Sequence, residues 1–132
     1  MSPRFTSPPD LAEIEEIAND AYVTIPAELR ERVDDVIIRV VEFPDPETER
    51  EMGLENPFEL LGLYRGVPIG DKSVLSTPHD IDMIFLYRRP LLDYWCETGE
   101  DLADLIRHVL IHEIGHHFGF SDAEMEAIEA AT

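Results

Sequence analysis

The chain has 132 residues, enough for one domain with a buried core. Its 10 Lys and Arg against 29 Asp and Glu give a formal net charge of −19, a surface that repels nucleic acid and anionic membranes. The single cysteine, Cys96, excludes an intramolecular disulfide and a cysteine-rich zinc ribbon. Because the sequence shows no apolar leader and no apolar run of membrane-spanning length, it predicts a soluble, cytoplasmic protein.

The N-terminal part of the chain predicts two helices and a strand. Residues 1–9 contain three prolines and are predicted to be a loose lead-in. Apolar residues then recur at helical spacing, with Ser7 or Asp10 as the predicted N-cap. A second, short helix is expected to open on Pro26, and the β-branched stretch VIIRVVEF (36–43) predicts a strand.

The middle of the chain predicts two further strands. The polar stretch 44–57 has three prolines and is predicted to be a loop with one helical turn. Glycines and a proline in FELLGLYRGVPIG (58–70) favour an edge strand or hairpin over a central strand. A turn-rich loop, GDKSVLSTPHD, separates it from the second confident strand, IDMIFLYR (81–88).

The C-terminal part predicts a long helix. A short amphipathic segment, LLDYWCE, follows Pro90, and the main helix is expected from Thr98, as its N-cap, to Phe118. Gly119 ends this helix, and Ser121 with Glu124 forms a capping-box pattern for a last helix.

This order of elements predicts a single domain over residues 10–132. Its class is α+β, with a small mixed or antiparallel sheet packed against the long helix.

The stretch HVLIHEIGHHFGFSD (108–122) contains four of the five histidines. His112 and His116 are four residues apart on the predicted helix, so two imidazoles on one face can reach a single ion at about 2.0–2.1 Å. Glu113 is placed to reach a water on that ion rather than the ion itself. The pattern H-E-x-x-H therefore predicts two metal ligands and a general base.

An open catalytic zinc site needs a third protein ligand. Gly119 can turn the chain back beneath the ion, and Asp122 can then present its carboxylate. Glu124 and Glu126 are the nearest substitutes for this ligand. Two histidines and a carboxylate also suit Fe(II), but the Glu directly after His112 favours Zn²⁺, one ion per chain.

The remaining histidines are not predicted as ligands. His108 shares a stripe with His112 but lies about 12 Å along the helix axis from His116, too far for one ion, and is expected at the rim of the site. His117 points about 100° away from His116 and is expected to be packed or solvated. For His79, in the loop before the second confident strand, the sequence offers no partner.

With these motifs in place, the sequence resembles the small bacterial zincin-like metallopeptidases, or minimal zincins. The resemblance rests on LLGLYRGVPIG, IDMIFLYRRPLL and above all HEIGHHFGFSD, and it runs from about residue 33. It implies a zincin-like fold with zinc bound by His112, His116 and Asp122, and with Glu113 as the catalytic base. It also implies that the edge strand near Leu61 to Val67 lines the cleft.

The chain departs from larger zincins after the third ligand. Metzincins carry a Met-turn on a C-terminal subdomain that forms the lower wall of the cleft, whereas here ten residues follow Asp122. Met125 lies within a predicted helix and is expected to be a packing residue. A protein substrate is therefore held weakly unless dimerisation of the chain or a partner completes the cleft.

Three functions remain open from the sequence. The first is peptide hydrolysis, with an extended peptide or unfolded protein paired to the edge strand and with Tyr64, Tyr87, Tyr94 or Arg65 as the oxyanion donor. The second is a zinc-bearing binding or regulatory module with little hydrolysis, which the short C-terminus favours. The third is metal-dependent hydrolysis of something other than peptide, such as RNA, which Glu113, Asp122 and the charge of −19 disfavour.

Overall fold

The computed structural model describes residues 7–33, 36–68 and 80–130. These residues form helices and strands in the predicted order, which confirms the α+β class. The elements are α1 (Leu11–Tyr22), α2 (Ala27–Arg30), β1 (Ile37–Val41), α3 (Pro46–Met52), a 3-10 turn (Pro57–Glu59), β2 (Gly62–Pro68), β3 (Asp80–Tyr87), α4 (Arg88–Thr98), α5 (Leu102–His117) and α6 (Asp122–Ala130).

The three strands of the described chain form a small mixed sheet in the order β1-β3-β2. The central strand β3 is parallel to β1 and antiparallel to β2, so β2 lies at an edge, as its glycines and proline predict. This arrangement leaves one side of β2 facing away from the sheet.

The register of β2 decides which of its backbone groups face outward. The Tyr87 N–H donates to the Leu61 carbonyl at 3.0 Å, so these two residues form a hydrogen-bonded pair. Such pairs alternate along an antiparallel ladder, and Tyr64 opposite Ile84 is therefore a non-hydrogen-bonded pair. The N–H and C=O of Tyr64 point to the outer edge of the sheet.

The core forms where α1 and α5, which contact each other, pack against the sheet, α1 on β1 and α5 on β2. The apolar residues of α5 recur at helical spacing and are buried along most of its length. Gly62 allows β2 to approach this helix closely, because a Cβ there would lie 2.7 Å from Cγ1 of Val109 and 3.1 Å from the carbonyl oxygen of Phe85. The buried side chains of α5 are Leu102, Leu105, Ile106, Val109, Leu110, Ile111 and Ile114.

Local capping interactions explain where several helices begin. Of the two predicted caps of α1, the structure uses Asp10, whose carboxylate accepts from the Glu13 N–H at 2.8 Å while the Glu13 side chain accepts from the Asp10 N–H. The predicted capping box of α6 is also present, with Ser121 and Glu124 bonded reciprocally at 3.1 Å.

The predicted start of the main helix is wrong. The main helix begins at Leu102 with Asp101 as its N-cap, whereas Thr98 is the last residue of α4. Gly99, at φ 68°, ends α4 in a left-handed conformation and separates the two helices. α4 begins at Arg88, so Pro90 lies in its first turn. Proline is tolerated there, because the N–H that it lacks would have no hydrogen-bond partner within the helix.

The predictions for the first six residues of the lead-in and for the loop that contains His79 lie outside the described residues, and they stay predictions. Within the described ranges, no helix has the length and apolar character needed to cross a membrane.

Candidate metal centre

The end of α5 is a Schellman motif that reverses the chain. The Phe120 N–H donates to the Gly115 carbonyl at 2.8 Å, and the Gly119 N–H donates to the His116 carbonyl at 3.1 Å. Gly119 has φ 80°, a left-handed backbone conformation that residues with a Cβ rarely adopt. This turn leads directly from His116 into Asp122, the first residue of α6.

Helix α6 then runs back along α5. Asp122, at its start, lies near His116, and Glu129, two turns later, lies near His108 and His112. The helices meet closely at Gly115, where an added Cβ would overlap Sδ of Met125 and lie 2.7 Å from its Cγ. Met125 is fully buried, which agrees with its predicted packing role. As a result, α6 presents carboxylates toward the histidines of α5 at two levels.

His112, His116 and Asp122 lie together in the structure. Each offers one ligand atom, and the three atoms lie within 4.8 Å of one another. Nε2 of His116 is 3.5 Å from Oδ1 of Asp122. Two imidazole nitrogens and one carboxylate oxygen form the donor set of an open zinc site, and their spacing allows contraction around one ion. These residues therefore fit the predicted metal.

Glu113 lies beside this set, against the outer edge of β2. The Tyr64 N–H, which points away from the sheet, donates to Oε1 of Glu113 at 3.4 Å. Burial raises the pKa of the Glu113 carboxyl, while the Tyr64 N–H and the nearby His116 act in the opposite direction. The carboxylate is thus held between the histidine face of α5 and the edge strand.

Glu129 is a contact of the site that sequence analysis missed. Its Oε1 lies 2.9 Å from Nε2 of His112, whereas Glu124 bonds to Ser121 at the N-terminus of α6. The sequence carried a signal for it, because Glu129 is one helical turn after the predicted packing residue Met125 and so shares the face toward α5.

The other two histidines of α5 are both exposed but differ in their contacts. His108 contacts Glu129, with Nδ1 3.0 Å from Oε1. His117 stacks on the ring of Tyr64, with centroids 4.0 Å apart and an interplanar angle of 23°. His117 therefore helps to hold the edge strand against the end of α5.

The four candidate oxyanion donors occupy different environments. Tyr64 and Tyr87 are buried, and burial raises the pKa of both hydroxyls, that of Tyr87 to about 12. The Arg65 guanidinium pairs with Glu51 at 3.0 Å, and Tyr94 is exposed on α4. The protein thus keeps both buried phenols protonated at neutral pH.

Residues 33–132 match the sequence model of the zincin-like metallopeptidases. This match covers most of the chain, and the protein belongs to the zincin-like metallopeptidase family. Membership supports a zinc peptidase as the general class of protein and confirms the resemblance drawn from the motifs. No curated protein matches the chain.

Proposed function

We propose that this protein hydrolyses peptide bonds with one zinc ion bound by His112, His116 and Asp122 and with Glu113 as the general base. The observation that supports this most strongly is the meeting of two features at one place. Three zinc-type donors lie within 4.8 Å of one another, and the neighbouring Glu113 contacts the outer edge of β2. A metal and a base are the parts that carry out hydrolysis, and a strand edge is a surface that an extended peptide can pair with.

The chemistry divides between the ion and the chain. A zinc ion in this site supplies a Lewis acid that polarises the scissile carbonyl and lowers the pKa of a water molecule. The Glu113 carboxylate takes the proton of the attacking water and later delivers it to the leaving amine. Burial raises the pKa of the Glu113 carboxyl and so makes its carboxylate a stronger base, while the Tyr64 N–H and His116 act in the opposite direction and favour the ionised form.

The proposed substrate is an extended peptide or an unfolded protein. Such a segment can pair with the outward-facing Tyr64 carbonyl of β2, next to the Glu113 side chain that accepts from the Tyr64 N–H. The metal-binding side is open to a substrate, because the side chains of His116 and Asp122 are 54% and 83% exposed. A polyanionic substrate is disfavoured by the formal net charge of −19.

The decisive variant is Glu113→Gln, assayed on a fluorescently labelled unfolded protein. We expect it to retain one zinc per chain and to lose about 10²–10⁴-fold in turnover, since the amide cannot accept the proton. Glu126→Gln is the matched control, because it makes the same charge change at an exposed residue of α6. Among the described residues, Glu126 does not belong to any group of three side chains that could hold a metal ion.

Two other outcomes oppose the proposal. Turnover by Glu113→Gln at the wild-type rate would show that Glu113 is not the base. Wild-type protein that binds zinc but cleaves no substrate would favour the alternative, a zinc-bearing binding or regulatory module with little hydrolytic activity.

A further inference from the structure

A second group of metal-type donors lies one helical turn from the first. The ligand atoms of His108, His112 and Glu129 are within 4.8 Å of one another. Oε1 of Glu129 lies 2.9 Å from Nε2 of His112 and 3.0 Å from Nδ1 of His108. The two imidazole rings are packed together, with centroids 4.0 Å apart. Two ring nitrogens therefore face a single carboxylate.

The chemistry of this group suits zinc. Two imidazoles and a carboxylate are the same donor set as in His112, His116 and Asp122. A tetrahedral ion at about 2.1 Å from each donor separates the donors by about 3.4 Å. The contacts of 2.9 and 3.0 Å to Glu129 open to that spacing with shifts of a few tenths of an ångström. The exposed His108 leaves the group accessible from solvent, with 52% of its side chain exposed.

The two groups share His112, which limits how they are filled. A neutral imidazole has one protonated nitrogen and one nitrogen with a free lone pair. His112 can therefore serve one ion at a time. The backbone supports two alternative levels, since α6 supplies Asp122 at the end of α5 and Glu129 about 10 Å further along its own axis.

We propose that His108, His112 and Glu129 form a second zinc position that competes with the first for His112. When the ion is in this second position, the first position keeps only two ligands, His116 and Asp122. The ion is then no longer bound by the three residues that form the proposed catalytic site. The position itself follows from the donor geometry, whereas its inhibitory consequence rests on the proposed function.

The test uses zinc alone and begins with Asp122→Asn, which weakens the first position. Zinc content and affinity are measured by elemental analysis and by competition with a chromophoric chelator. We expect this variant to retain one zinc per chain. We expect the addition of His108→Ala or Glu129→Gln to lower the affinity by more than about 100-fold, which exceeds the roughly 10–100-fold loss caused by removing a hydrogen-bond partner of a ligand. Glu97→Gln, at an exposed residue of α4, is the matched control for charge in the same background and is expected to change nothing.

Wild-type protein provides the test of sharing. We expect it to bind one zinc through these histidines, not two. At saturating zinc we expect His108→Ala, which removes the second position, to show higher peptidase turnover than wild type, because the two positions share one ion in a ratio that the zinc concentration does not change. The second position is overturned if Asp122→Asn binds no zinc, or if its zinc is indifferent to His108→Ala and Glu129→Gln. Two histidine-bound zinc ions per wild-type chain would overturn the competition.

The failures of this inference and of the proposed function are distinguishable. If wild-type protein cleaves peptide but Asp122→Asn binds no zinc, the second position is wrong and the peptidase stands. If wild-type protein does not cleave but the zinc of Asp122→Asn depends on His108, the peptidase is wrong and the second position stands. Circular dichroism of each variant verifies that the helices remain folded.

Discussion

The turn at Gly119 offers a sharp test of how the fold builds the metal centre. Gly119 has φ 80°, and no atom lies within 4 Å of the position where its Cβ would stand. The substitution Gly119→Ala therefore introduces no contact clash and acts through backbone conformation alone. A left-handed residue with a Cβ costs about 1–2 kcal/mol. The zinc-loaded protein is expected to lose this amount of stability, which lowers its melting temperature by about 3–10 °C.

The same cost is expected to appear in zinc binding. The turn holds Asp122 3.5 Å from His116, and the 83% exposed Asp122 side chain is free to move when the turn relaxes. Restoring the turn on zinc binding then costs about 1–2 kcal/mol, which is a loss of about 5–30-fold in affinity. A competition titration against a chromophoric chelator measures this directly. Gly119→Asn is expected to retain more affinity, because Asn tolerates the left-handed region.

Gly53 provides a matched control. It ends α3 at φ 65° in the same motif, with the Leu54 N–H donating to the Glu49 carbonyl, and its missing Cβ likewise meets no atom within 4 Å. Gly53→Ala should cost a similar amount of stability and leave zinc affinity unchanged. If Gly119→Ala binds zinc as tightly as wild type, or if both variants weaken zinc binding equally, the turn does not position Asp122 for the metal.

Two further predictions concern stability. Gly62→Ala should lower the free energy of unfolding, measured by chemical denaturation, by about 1–3 kcal/mol, because the new Cβ overlaps Val109. The loss should be smaller in a Val109→Ala background, and additive effects of the two changes would contradict the close approach of β2 to α5. Asp45 accepts from the Thr48 N–H at 2.7 Å, and this hydrogen bond lowers the pKa of the Asp45 carboxyl in the folded protein. The ionised carboxylate therefore stabilises the folded state fully at pH values well above the ordinary pKa near 4, and this contribution is lost as the pH falls through the folded-state pKa. The stability difference between wild type and Asp45→Asn should therefore shrink from about pH 6 to about pH 2, and a difference independent of pH would refute this assignment.

Much of the fold could be predicted because its local signals agree with its packing. The apolar spacing of α5 and the β-branched stretch of β1 each match the burial that the structure gives them. The boundary at Thr98 could not be predicted in the same way. Thr98 and Asp101 are both good N-caps, and the choice depends on Gly99 ending α4 in a left-handed conformation, which only the preceding helix reveals.

The candidate site likewise contains residues that local sequence spacing predicts and one that depends on how two helices pack. His112, Glu113 and His116 share one helix, so their spacing alone fixes their relation, and Asp122 follows through a turn with a glycine signal. Glu129 depends on how α6 packs against α5, which is decided by the contact of Met125 with Gly115. Its position one helical turn after Met125 is the one signal in the sequence, and this signal selects Glu129 only once the face of α6 that packs on α5 is known.

The ligand set at the end of α5 is tested most directly by nitrogen-15 NMR of the histidine rings during a zinc titration of wild-type protein. Ring resonances are assigned from single substitutions, with His117, which lies outside both three-donor groups of the described residues, as the internal control. We predict that ring nitrogens of His112 and His116 move together to metal-bound shifts and saturate at one equivalent of zinc, while His117 keeps its shift, and that Asp122→Asn weakens this response. A titration in which the His116 ring nitrogens do not respond to zinc would contradict the proposed metal centre.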